Sequence, residues 1–162
     1  MTIERDKIVK AFTAKWKYRL DKEQYGMADA WKIIYSEDEK GKFVGDCEDY
    51  ALSILWRLSG ESHLKMWWLL VTHQAGICCV GPTKWKVSHA VLRYKGEYVD
   101  NWTRKFGPKE AIEKNHTFHF FYGYGWAYFT AIKMLISKSY RVEDEFGAFD
   151  TIDLKTFAKR FG

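Results

Sequence analysis

Cys47 stands in the stretch GDCEDYAL, one thiol among Asp46, Glu48 and Asp49, at the point where a helical apolar pattern begins. A thiol attacks a carbonyl carbon only as thiolate, and an unperturbed cysteine has a pKa near ~8.5. The first turn of a helix favours an anion through its open N–H groups and its macrodipole. That help is worth roughly 0.3–2 kcal/mol, or about one pKa unit. The three carboxylates push the other way. A helix N-terminus alone therefore does not activate Cys47, and the residue is either an inert thiol on a capped helix or a nucleophile with a cationic partner.

An imidazolium beside the sulfur is the usual partner. The chain has five histidines: His63, His73, His89, His116 and His119. Hairpin geometry favours one of them. A two-residue loop at Lys95-Gly96 pairs Tyr94 with Glu97 and sets Val91 opposite Asp100. His89 shares a face with Val91, so Asp100 lies diagonal to it, about 7–8 Å away at Cα. Asn101 falls on the other face, and a three-residue loop would exchange the two. Cys47, His89 and Asp100 then have the types and order of duties of a Cys-His-Asp triad: attack, proton shuttle, tautomer control. The oxyanion hole would use the Cys47 backbone N–H and one donor from an earlier helix. Gln24 and Trp31 are the candidates for that donor.

The elements that must position these residues follow from periodicity. Ile8, Phe12, Trp16 and Leu20 recur at four-residue steps and predict an amphipathic helix over residues 3–20. A second helix is predicted over 22–35, followed by the polar loop SEDEKGKF. The third opens at Asp46 as N-cap with Asp49 at the N3 position of a capping box, and Ala51, Ile54, Leu55 and Leu58 form its apolar stripe. Gly60 ends it. Residues 65–72, 77–80, 86–94 and 97–102 read as strands. The aromatic stretch 118–129 has no clear period, residues 127–138 read as helix, and 151–161 as a short final helix. The expected fold class is α+β, helices first and then an antiparallel sheet, in a single domain over residues 1–162.

Composition narrows the function classes. With 162 residues, 47% hydrophobic and 18% aromatic, the chain can bury a core of its own. No apolar run reaches the roughly 18 residues of a membrane span. The charged start MTIERDKIVK has no signal-peptide h-region, so a cytoplasmic location is expected, and no membrane partner. Cys47, Cys78 and Cys79 form neither a disulfide framework nor a C-x-x-C zinc site. The net charge of +5 is spread along the chain without a basic block, so no nucleic-acid partner is expected. His116 and His119, three apart, have no acidic or cysteine neighbour close in sequence and read as surface or packing residues.

The blocks GDCEDYALSILWRLSG, HAVL and VDN, in that order over residues 45–102, resemble the bacterial transglutaminase-like cysteine proteinases. These belong to the broader papain/transglutaminase-like superfamily, and similar proteins are encoded by phages. The resemblance implies a papain/transglutaminase-like fold, with a nucleophile-bearing helix packed on an antiparallel β-sheet. Its motif positions fall on Cys47, His89 and Asp100. In some relatives the acids flanking the cysteine help bind calcium, which here implicates Asp46 and Glu48. Hard carboxylate oxygens suit Ca²⁺, and a cation would relieve the charge problem at the thiol. For a phage protein the implied location is the host cytoplasm or the virion.

The leading expectation is thus a thiol hydrolase acting on a peptide or amide bond of a protein or peptide substrate, through a thioester on Cys47. An acyltransferase or glutamine deamidase would share that thioester and differ in what resolves it. A non-catalytic binding module of the same fold is the alternative from another class, with Cys47 structural, His89 a hydrogen-bonded strand residue and Asp46 and Asp49 plain caps. Oligomeric state is left open.

Overall fold

The computed structural model describes residues 2–26, 29–83, 85–119 and 126–139. Helix α1 spans Thr2–Ala14 and buries Val9 and Phe12. The predicted helix over 3–20 stops there, because Trp16–Tyr18 turns out as strand β1 and pairs in parallel with β2, Phe43–Gly45. Aromatic and extended side chains suit that half-buried ribbon, where Trp16 meets Phe12 and Tyr50 with ring centroids 5.2 Å apart in each case. Leu20, the last member of the expected stripe, is exposed.

The predicted helix over 22–35 is likewise cut short. Helix α2 covers only Asp21–Tyr25 and ends at Gly26, whose φ of 67° is the left-handed conformation glycine adopts freely. Residues 29–35 then run without helix or strand, as a strap whose backbone is held by side chains. Ala30 N–H donates to Asp21, Trp31 N–H to Ser137 Oγ at 2.7 Å, Lys32 N–H to Asp49 Oδ1 at 2.8 Å and Ile34 N–H to Ser53 Oγ at 2.8 Å. Arg57 closes the strap by donating to the carbonyls of Ile34 and Tyr35, its guanidinium lying over Phe12 and Phe43. Polar side chains, three of them from the third helix, thus replace the backbone pairing a helix would have supplied.

That helix, α3, spans Cys47–Leu58 and buries every residue from Cys47 to Leu55. Asp46 occupies the N-cap, but its side chain makes no capping hydrogen bond, and Asp49 faces the strap, so the predicted capping box does not form. Gly60, at φ 70°, follows the C-cap residue Ser59 as expected. Residues 65–72, read as a strand, form most of helix α4, His63–Val71, and its C-cap Thr72. Ser62 caps it, and Met66 and Leu70 are buried four residues apart while Leu64, Trp68 and Val71 face outward. An unbroken apolar run carries no period by which strand and helix could be told apart.

The sheet is antiparallel, in the order β5 (Glu97–Val99), β4 (His89–Tyr94), β3 (Ala75–Gly81), β6 (Thr117–Phe118). Lys95 and Gly96 both have positive φ, 50° and 89°, as a two-residue type I′ hairpin demands. Tyr94 pairs with Glu97 and Leu92 with Val99, the register expected from that loop. The predicted strands 86–94 and 97–102 are shorter than expected, since residues 86–88 precede the ladder and Asp100 already begins a turn. One sheet face, with Ile77, Cys79, Ala90 and Leu92, joins the core of α3 and α4. The other gathers Cys78, Val80, Val91 and Tyr98 over Ile112 of helix α5, Lys109–Glu113. Helix α6, Trp126–Ser139, contains the predicted 127–138 and packs on α4 and β3. The fold is therefore mixed α and β with the Cys47 helix packed on an antiparallel sheet, but helices also follow the first strand and interleave with the sheet. The predicted helix at 151–161 lies outside the described residues.

Candidate active site

Chain order brings Cys47 and His89 to one place for a simple reason. α3 packs on β4, and Cys47 is the first residue of the helix as His89 is the first of the strand. Both line a cavity of about 570 Å³. Tyr18, Leu20 and Val87 stand at its margin, each about half exposed, and Trp31, Cys79 and Lys133 share its walls.

On the β4 side, His89 Nε2 and Asp100 Oδ2 are hydrogen-bonded at 2.8 Å, and both residues are almost wholly buried. Asp100 comes from the end of β5, the diagonal position the hairpin predicts. Its other oxygen, Oδ1, accepts from the Thr103 N–H and hydroxyl, each at 2.6 Å, and from the Trp102 N–H at 3.2 Å. Burial by itself would raise the Asp100 carboxyl, but the hydrogen bonds from His89 and Thr103 outweigh it and hold the group below the usual carboxylate range. Asn101 is buried as well and makes no bond to His89; its carbonyl accepts from Arg104 Nε at 3.1 Å.

With Nε2 taken by Asp100, Nδ1 is the ring nitrogen left to exchange a proton with a group in the cavity. The thiol does not meet it by hydrogen bond. Cys47 Sγ donates instead to Glu48 Oε2 at 3.0 Å. Burial first, and then the charges of Glu48 and Asp46, push the Cys47 thiol far above its ordinary range. This side of the cavity holds an uncharged thiol.

Glu48 and Asp46 belong to a wider cluster that sequence spacing does not display. Asp21, Asp29 and Asp49 join them, with donor atoms of Asp21, Asp46 and Asp49, and of Asp21, Asp29 and Glu48, within 4.8 Å of one another. Burial and mutual repulsion push Glu48 up to about 10 and Asp21 up to about 7. Asp46 and Asp49 are raised for the same reasons. Asp29 is the exception, since hydrogen bonds from Glu48, Lys133 and Trp31 overcome its burial and hold it low. Three buried oxygens, Asp21 Oδ1, Asp46 Oδ1 and Asp49 Oδ2, have no hydrogen-bond partner among the described residues. Orphaned hard oxygens without a cysteine or histidine donor between them fit the donor set of calcium.

The two candidates for a second oxyanion donor fare differently. Gln24 does not line the cavity, and its amide nitrogen donates to Tyr25 Oη at 2.7 Å and the Val44 carbonyl at 3.4 Å. Trp31 does line it, but its indole N–H donates to Asp29 Oδ1 at 2.8 Å. Neither donor points at an open acceptor position, so the first-turn N–H groups of α3 are the donors that the geometry leaves for an oxyanion.

Reading the sequence missed Thr103 and Trp102 beside Asp100, and Asp21, Asp29 and Lys133 at the acidic wall. The D-x-x-T spacing of Asp100 and Thr103 is a turn signal that could have located the first of these. The acidic residues arrive from three segments and leave no local pattern. The chain matches no protein-family model and no curated protein sequence.

Proposed function

We propose that this protein is a thiol hydrolase with a papain/transglutaminase-like arrangement, cleaving a peptide or amide bond through a thioester on Cys47. The observation that carries this reading is the buried His89–Asp100 pair, at 2.8 Å, opening on the same cavity as a cysteine at a helix N-terminus. In the reaction, His89 Nδ1 takes the thiol proton and Sγ bonds to the substrate carbonyl carbon. First-turn N–H groups of α3 face the oxygen that becomes negative. The tetrahedral intermediate collapses as the C–N bond breaks and His89 returns the proton to the leaving amine. Water, deprotonated by the same imidazole, then cleaves the thioester to give a carboxylic acid and the free thiol. Asp100, anchored by Thr103, keeps the imidazole in one tautomer and stabilises its cationic form.

Asp46 and Glu48, with Asp21 and Asp49, are the residues that would hold calcium. Bound there, a cation would supply compensation of the carboxylate charge that keeps the Cys47 proton in place. Those side chains also have a role of their own, because Glu48 accepts the thiol hydrogen and so sets where Sγ points.

One observation favours a second reading, a binding module without catalysis: the thiol is bonded to Glu48 rather than to His89. A peptidyl aldehyde, which forms a reversible thiohemiacetal only with a reactive thiol, separates the two. The hydrolase reading expects the adduct on Cys47 in the wild type with calcium present, and its loss in His89→Ala. No adduct on Cys47, or equal adduct in both proteins, would favour the binding module.

A further inference from the structure

Trp102 is 60% exposed, yet its indole lies flat on the buried His89 ring, with centroids 4.1 Å apart and planes 9° from parallel. Its backbone N–H donates to Asp100 Oδ1, so the carboxylate that holds His89 through one oxygen sets the start of the Trp102 segment through the other. A third ring completes the arrangement. His116, from the turn before β6, meets Trp102 edge-on at 5.2 Å and 66°, and its centroid is 5.4 Å from that of His89. The sequence predicts a surface or packing role for His116, and its packing partner is the candidate general base.

We propose that Trp102 and His116 form a positioning brace for His89, which keeps Nε2 on Asp100 while Nδ1 gains and loses its proton. The inference rests on the thiol-hydrolase reading of Cys47 and His89. A rotation about the Cβ–Cγ bond of His89 would exchange the two ring nitrogens and break the bond to Asp100. The indole slab blocks that rotation on one face and keeps water from the His89–Asp100 bond. His116 holds Trp102 from the side. Burial, and then the neighbouring His89, keep the His116 imidazole below its usual range, with Asp100 pulling the other way, so a neutral ring supports the brace near neutral pH. Among the described residues, the titratable groups around the stack are Asp100 and His116, with Tyr18, Asp29, Asp46, Cys47, Glu48, Cys79 and Lys133 on the cavity walls.

Two measurements test this, one without reference to chemistry at Cys47. An imidazole lying flat on an indole quenches it, so the emission of Trp102, taken as wild type minus Trp102→Phe, should be weaker than the same difference measured in a His89→Ala background. A His116→Ala background should raise it part of the way. Equal difference spectra in all three backgrounds would overturn the stack. The second readout is alkylation of Cys47 by iodoacetamide with calcium present, followed by peptide mass spectrometry. Trp102→Ala should slow it about tenfold at unchanged thermal midpoint, and Trp102→Phe should restore most of the rate. Should Trp102→Ala fail to fold, His116→Ala carries the same test, with a smaller slowing of about threefold. If His89→Ala slows labelling and neither brace variant does, the brace is wrong and the hydrolase reading stands. If His89→Ala labels like the wild type, the hydrolase reading fails, and the fluorescence comparison alone decides whether the stack exists.

Discussion

Asp100 has both oxygens hydrogen-bonded, to His89 on one side and to Thr103 and Trp102 on the other, whereas Asp21, Asp46 and Asp49 each keep one buried oxygen without a partner among the described residues. The base side is complete as it stands, assembled by one hairpin and one turn. The thiol side gathers like charges from three segments and stores protons on them to tolerate the burial. A buried carboxylate that lacks a donor or a cation either stays protonated or destabilises the fold. On the hydrolase reading, the difference separates two tasks: His89 is positioned by the fold itself, while release of the Cys47 proton depends on what happens to the carboxylates around it.

The largest expected effects break the base side. Cys47→Ala should abolish turnover and leave the thermal midpoint near that of the wild type; unfolding of this variant would mean the thiol is structural. Asp100→Asn should lower kcat by roughly 10²–10⁴, because the amide can hold the ring in the wrong tautomer, while Asn101→Ala should cost far less. The reverse order, measured in the same peptide-cleavage assay, would detach Asp100 from the site.

On the thiol side, Glu48→Gln replaces one carboxyl oxygen with an amide NH₂, so the group that accepts the Cys47 proton can become a donor to the sulfur. Alkylation of Cys47 in chelator should then rise about tenfold near pH 7, and protection by calcium against thermal unfolding should weaken. Unchanged labelling would show that burial alone, and not Glu48, sets the thiol.

The two sides should also respond to pH with opposite sign. Glu48 and Asp21 are raised in the fold, to about 10 and about 7, so the native state binds more protons than the unfolded chain between pH ~4 and those values. Their contribution is fully present below about pH 4 and is lost as pH rises. Asp100 is lowered, so its contribution is present above about pH 4 and is lost as pH falls through its native value. Urea unfolding in chelator should therefore show lower stability at pH 8 than at pH 5, by on the order of 1 kcal/mol or more, with the slope flattened in Glu48→Gln. A wild-type protein equally stable at both would mean the cluster is solvated. The smallest effect belongs to the strap that carries Trp31 and borders Asp29. Ser53→Ala removes the hydroxyl that accepts the Ile34 N–H and should cost about 1 kcal/mol in the same unfolding experiment.

What could be read from residue order alone tracks how local each determinant is. Lys95-Gly96 dictates a two-residue hairpin, the hairpin dictates register, and register places Asp100 beside His89. The α3 stripe and its stop at Gly60 are equally local. Residues 29–35 are not, since a helix-like pattern there yields to Asp49, Ser53 and Arg57, which offer the strap its hydrogen bonds from another element. α4 was misread because MWWLLV is apolar without a period, and its outward face shows only in the fold. The acidic wall and the Trp102–His116 brace are assembled from distant segments, and no spacing rule announces them.

The most direct test of the central claim is the rate of Cys47 alkylation by iodoacetamide across pH, in wild type and His89→Ala, each with calcium and with chelator. Peptide mass spectrometry separates Cys47 from Cys78 and Cys79. The account predicts slow labelling in chelator, and with calcium a fast reaction already at about pH 6 that disappears in His89→Ala. Labelling that is identical in the two proteins at every pH, with or without calcium, would contradict it and leave Cys47 as a structural thiol.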